Sequence, residues 1–398
     1  MGKVSSQKEF YPLFLFLSLS ALIFYSGCVT PPKEEVRKSQ DIWERDLEGA
    51  RFPLVEEIRL YPARWYGNRK AACSITFDDG TLDQFTLGAP EMDRQGLRGT
   101  FFVITGFMEK EIWKDGNTER ELFNWDQARD LAWRGHEIAS HTARHLDLSA
   151  NPGKVQTEIE EALQDLKREI PWKKSFSLGW PYWRSSKEAE VIASQFHFAA
   201  RAGGISAQPG SSSFGGVNGK SPVNFMGIGS HGILPSDSRE TLLPILKEVY
   251  ENGGWLIPNF HGLKDGRIPT KALGWQPLPL ETFSLILETL KRYDLWFAPF
   301  GEVAKYAQQR DSITLETKRV GYLWRADYKS NLDPDIYNQP LTLNLEIPAE
   351  TALLLVMEDT TGRILPFTLK ERNERNLYLL DLPSGDGTLW ISLGRARE

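Results

Sequence analysis

Between Ala71 and Gln309, short uninterrupted apolar runs alternate with longer stretches whose apolar positions recur every three to four residues. The runs Ala71–Phe77, Gly99–Thr105, Glu137–Ala139, Phe176–Leu178, Phe198–Ala200, Asn224–Ile228, Trp255–Phe260 and Trp296–Phe300 read as strands buried on both faces. Between them, helices are predicted over Trp125–Arg134, Asn151–Ile170, Ser185–Phe196, Ser238–Asn252, Leu280–Tyr293 and Gly301–Gln309. Val155, Ile159, Leu163, Leu166 and Ile170 mark one apolar face, with Asn151-Pro152 as its cap and first-turn proline. Ser185-Ser186-Lys187-Glu188 fits a capping box, and Gly253-Gly254 stops the helix before Trp255. Repeated β–α units of this kind predict an α/β domain with a parallel sheet, closed into a barrel or open.

After Arg310 the period falls to two. Leu341, Leu343, Leu345 and Ile347 mark one strand, Leu353–Met357 a more buried one, and Asp359-Thr360-Thr361-Gly362 a hairpin turn. With Leu377–Leu382 and Thr388–Leu393 the pattern predicts a small all-β, sandwich-like domain over 311–398, read as structural in preference to carbohydrate-binding. Before the α/β region, Lys3 and Lys8 precede an apolar stretch, Leu13–Phe24, that ends at Ser26-Gly27-Cys28. This resembles a bacterial lipoprotein leader at 1–27, with Cys28 the lipidated residue and Tyr25 in place of the usual leucine. Residues 28–40 are then a tether, and the folded part is expected outside the cytoplasm, anchored to a membrane. Residues 41–66 mix helical and extended signals and are expected to wrap the outside of the first domain, which spans 41–310.

A chain of 398 residues with net charge −6 has no basic footprint for nucleic acid. Its 13 tryptophans are assigned mostly to packing. Of the two cysteines, Cys73 lies inside a predicted strand and reads as a small buried apolar residue.

The chemistry gathers in two stretches. In Thr76-Phe77-Asp78-Asp79-Gly80, two carboxylates end a buried strand, where like charge and desolvation both oppose them. In Ser140-His141-Thr142-Ala143-Arg144-His145, two imidazoles four residues apart face one point. An Asp and two His form a recurring ligand set for a divalent metal with positions left open. Asp78, His141 and His261 all fall at C-terminal ends of predicted strands, where parallel α/β folds keep their chemistry.

Together with Gly135-His136-Glu137-Ile138-Ala139-Ser140-His141 and Asn259-Phe260-His261, these stretches resemble the NodB-like polysaccharide deacetylases of carbohydrate esterase family four. The resemblance spans Ala71–Gln309 and implies a distorted, incomplete (β/α) barrel. It implies that Asp79, His141 and His145 bind a divalent metal, zinc foremost with cobalt an alternative. It further implies Asp78 as base and His261 as the acid that protonates the leaving group. Gly179-Trp180-Pro181-Tyr182 matches the family's oxyanion loop, with the Tyr182 N–H as donor and Trp180 and Pro181 beside the substrate. Two departures stand out. The loop lacks the family's arginine, for which Arg184 or Arg201 can stand in, and the family's Asp-Trp segment is absent. The implied substrate is an acetylated glycan, with N-acetyl favoured over O-acetyl. The rivals are a hydrolase acting on a non-glycan amide or ester, and a pseudoenzyme that only binds glycan. His136 and His197 read as structural, and His231 is split evenly between a loop role and the groove.

Overall fold

Odd and even positions diverge along the strand that begins at Ala71, because successive strand side chains point to opposite faces. Ala71, Cys73, Ile75 and Phe77 pack with helix residues such as Met92, Leu131, Val249 and Phe283. Ala72 faces the other way, into a cluster with Phe102, Trp255 and Phe300. Ser74 shares that inner face, where its Oγ accepts from the Trp255 indole at 3.0 Å. Thr76 follows it, donating to Asn259 Oδ1 at 2.7 Å. This polar column leads to Asp78.

The structure is a computed structural model that describes residues 55–203, 217–218, 222 and 224–396, all within one unit, Pro53–Glu398. The leader, the tether, Cys28 and most of the Gly/Ser-rich stretch after Gly203 lie outside the described residues. Seven parallel strands form a curled sheet in the order His231–Gly232, Pro258–Phe260, Ile75–Phe77, Gly99–Val103, Glu137–Ser140, Leu178–Gly179, Ala200–Arg201. A parallel bridge from Arg201 to Ile228 then carries the far edge back towards His231. The strand expected over Asn224–Ile228 is instead a turn ending in that bridge, because Asn224 Oδ1 takes the Met226 N–H locally. Ala71–Cys73 and Trp255–Leu256 pair in a second sheet with Leu295–Phe297 and, antiparallel, Val217–Asn218.

The helices lie close to their expected bounds: Trp125–Trp133, Val155–Glu169, Lys187–Ala193, Arg239–Asn252, Leu280–Leu290 and Phe300–Ser312. One cap differs. Asn151 bonds back to Asp147 O at 2.8 Å, so Pro152–Lys154 forms a 3-10 turn before the helix proper.

The C-terminal strands form two four-stranded antiparallel sheets, with Leu341, Leu343, Leu345 and Ile347 buried on one strand. The segment expected to wrap the first domain contributes to one of them. Arg59–Pro62 pairs with Leu343–Glu346, and the Tyr61 hydroxyl donates to Glu346 Oε1 at 2.6 Å. Four half-exposed residues were too short a pattern to reveal this strand. Helix Phe300–Ser312 joins the layers: Tyr306 OH donates to Ala63 O at 3.0 Å and Gln309 Nε2 to Gln339 O at 2.9 Å.

Candidate active site

Among the described residues, five of the eight non-glycine residues with positive φ surround one point: Asp79, Thr142, His145, Tyr182 and Trp183. Each such conformation costs about 1–3 kcal/mol and persists only where surrounding structure enforces it. Gly80 follows with φ 76°, and a side chain there would press on Val103, so the Asp-Asp-Gly turn needs its glycine.

Asp79, His141 and His145 each offer a ligand atom at this point, all within 4.8 Å of one another. Asp79 Oδ1 lies 3.6 Å from His141 Nε2 and 3.5 Å from His145 Nε2. Gly179 O lies 2.7 Å from His141 Nδ1, so Nδ1 carries the proton and Nε2 presents its lone pair to the cluster. Burial pulls His141 down to about 4 against the pull of Asp78, and burial with His141 beside it lowers His145 to about 2. Both imidazoles are therefore neutral at neutral pH, the form a metal requires. The donor set fits a divalent cation.

Asp78 is fixed at both oxygens. Arg201 Nη2 donates to Oδ1 at 2.5 Å, and Asn259 Nδ2 donates to Oδ2 at 3.0 Å. Burial would push this carboxyl up, but Arg201, helped by His141, His261 and Asn259, outweighs it and holds the group at about 2. Arg201 is fully buried and lies over the Phe102 ring at 5.2 Å. It takes up the space beside Gly179: a Cβ on that glycine would stand 2.9 Å from Arg201 Nη2. The arginine missing from the Gly179–Tyr182 loop is thus supplied by the neighbouring strand. Arg184 is exposed and pairs with Asp147 instead, at 3.3 Å.

His261 Nε2 lies 3.7 Å from Asp78 Oδ2, and burial pulls its imidazole down to about 4. Gln84 donates to the carbonyls of both His261 and Asp78, tying their strand ends together. Trp183 and Trp275 stand edge-on to His261 at 5.4 and 5.1 Å, while Trp113 and Tyr182 flank His145 at 5.0 and 4.6 Å. The mouth is therefore ringed by aromatic side chains.

Two expectations need correction. Trp180 is fully buried with its indole N–H on Met226 O at 2.8 Å, and Pro181 is buried too, so both side chains support the loop rather than face the open cleft. Tyr182 is the exposed member. His136 accepts from Gly99 N–H and bonds Asp93, and His197 bonds Phe176 O; both are structural. His231 is 7% exposed and sits in the sheet beside Pro258, where burial lowers its imidazole and Asp237 opposes that. Asn259 was missed as an anchor, although its place two residues before His261 puts both on one strand face.

With this geometry in hand, the chain can be set beside known proteins. Residues 66–200 match the polysaccharide deacetylase family. The chain is 26% identical over 203 residues to the candidate polysaccharide deacetylase YxkH of Bacillus subtilis (strain 168), covering 51% of this chain and 66% of that protein. It is 23% identical over 351 residues to a gellan lyase from a Bacillus species, covering 83% of this chain but 13% of the lyase. The chain thus spans less than two thirds of either relative. A crystal structure of a candidate polysaccharide deacetylase from Mycobacterium smegmatis is similar with a TM-score of 0.43 at 15% identity, covering 63% of this chain and 94% of that one. The polysaccharide deacetylase match contains Asp78, Asp79, His141, His145 and Tyr182; His261 and Arg201 fall beyond it.

Proposed function

We propose that this chain removes acetyl groups from an acetylated glycan, N-acetyl in preference to O-acetyl, with a divalent metal held by Asp79, His141 and His145. The observation that carries the reading is the buried Asp78, ionised and aimed at that cluster by Arg201 and Asn259. A divalent cation held there, zinc foremost, supplies Lewis acidity: it polarises an acyl carbonyl and makes water easier to deprotonate.

Asp78 takes the proton from the attacking water. His261 Nε2 lies 3.7 Å from Asp78 Oδ2, within reach of that proton. His261 is neutral at rest and becomes the acid within the turnover, passing its proton to the departing amine, which is more basic. Tyr182 lies on a left-handed turn with its ring 4.6 Å from that of His145, and this reading assigns its backbone N–H to the developing oxyanion. The aromatic ring at the mouth suits the apolar faces of sugars.

A site that merely bound glycan would have no use for two adjacent buried carboxylates. Asp79→Ala is expected to reduce bound metal below one equivalent and acetate release by at least about a hundredfold. Metal analysis and an acetate assay on the same preparation test this, and full activity in that variant contradicts the reading. The Ser26-Gly27-Cys28 signal supports a lipid-anchored, extracytoplasmic enzyme, and loss of fatty-acid labelling in Cys28→Ser tests that part.

A further inference from the structure

At the opposite end of the barrel strands, a cavity of about 350 Å³ opens between the barrel and the first turns of the C-terminal region. That volume falls in the range of small-ligand pockets, roughly 300–1,000 Å³. His136 and Glu137 line it at the start of the strand that delivers His141 at its other end. At about 3.3 Å per residue, the five-residue separation puts the two sites ~16 Å apart.

Two independent features mark this cavity. Trp172 stands at its rim and stacks on Trp133 with centroids 4.8 Å apart and planes 26° from parallel. Trp133 is nevertheless 73% exposed and Trp172 46%, the most exposed tryptophans among the described residues. Inside, Lys305 is 8% exposed and lies over the Phe198 ring at 4.8 Å. Among the described residues no ion pair or hydrogen bond holds its ammonium, which has Glu137 and Glu302 as acidic neighbours and is open to the cavity. Glu302 lines the same wall, while Glu137 is already engaged by Thr100, Ser177 and Gly301.

We propose that this cavity is a second glycan-binding site, separate from the catalytic cleft, with the Trp133–Trp172 pair stacking on pyranose rings and Lys305 and Glu302 taking their hydroxyls. The negative face of an indole attracts the weakly positive C–H face of a sugar ring, and a mixed lining of donors and acceptors suits hydroxyls better than it suits an ion. That the occupant is a stretch of the same polymer rests on the deacetylase reading. Holding the polymer ~16 Å from the cleft raises the effective concentration of further acetyl groups there.

Affinity electrophoresis of the full chain in gels containing acetylxylan, glycol chitin or gellan tests the proposal without relying on catalysis. Retardation by at least one polymer is expected, with the dissociation constant rising about tenfold in Trp172→Ala and in Lys305→Gln. Asp79→Ala, which disables the cleft, keeps the retardation. Unchanged retardation in both cavity variants, shown folded by circular dichroism, overturns the proposal, as does its loss in Asp79→Ala or the absence of retardation by every polymer. A chain retarded through this cavity that releases no acetate would instead count against the deacetylase reading alone.

Discussion

Asp78 has its two oxygens divided between Arg201 and Asn259, and that division sets both its aim and its charge. Arg201→Met removes the main influence opposing desolvation, so the Asp78 carboxyl rises. In the proposed mechanism the base works as a carboxylate, so the acid limb of the pH–activity profile is expected to move to higher pH, with acetate release down about a hundredfold at neutral pH. An acid limb that stays put in this variant would show that Arg201 does not govern Asp78. Asp78, Asp79, His141 and His145 were legible in the sequence because each pair is contiguous or one helical turn apart. Arg201 was visible only as one of two candidates. Its decisive partner is the hydrogen at Gly179, and a missing side chain leaves no mark in a hydropathy pattern.

Among the elements, Leu178–Gly179 and Ala200–Arg201 are two-residue strands whose job is to bring that pair together. Gly179→Ala would press a methyl group against both Arg201 and the buried Phe102 ring, at 2.9 and 2.8 Å. A loss of about 1–3 kcal/mol in stability is expected from overpacking, measured by urea unfolding, together with the shifted pH profile of Arg201→Met. A variant as stable and active as the native chain would contradict this packing. Glu137 plays a comparable part at the other end of its strand. It accepts from Thr100 Oγ1, Ser177 Oγ and the Gly301 N–H, clamping three strand ends to the last barrel helix. Glu137→Ala strands those donors and is expected to cost more than about 2 kcal/mol in the same measurement. The sequence marked Glu137 as part of a motif but could not separate its clamp from catalysis. The helices were legible because their 3.6-residue period and caps are local. The Arg59–Pro62 strand was not, because its partner lies at Leu343–Glu346 and nothing local identifies it.

Across the whole molecule, buried histidines link the fold to pH. Burial lowers His136, His141, His197 and His261 from 6.5 to about 4. Unfolding returns them to the ordinary value, so between these limits the unfolded chain binds more protons than the folded one. Their contribution is fully present above pH 6.5 and is lost as pH falls towards about 4. The thermal midpoint of metal-free protein is therefore expected to drop steadily across that window, and a flat profile would contradict the buried, neutral histidines. The β–α alternation revealed the curled parallel sheet and the period-two pattern the C-terminal antiparallel strands, since both patterns repeat. How the two layers share helix Phe300–Ser312 depends on contacts such as Tyr306 with Ala63, which no periodicity encodes.

The most direct test of the proposed chemistry is acetate release from acetylxylan, chitooligosaccharides and peptidoglycan, before and after chelation and after zinc or cobalt is restored. Release that stops with the chelator and returns with the metal is the expected result. Release from no substrate by folded, metal-loaded protein, or release indifferent to the chelator, would contradict a metal-dependent deacetylase built on Asp79, His141 and His145.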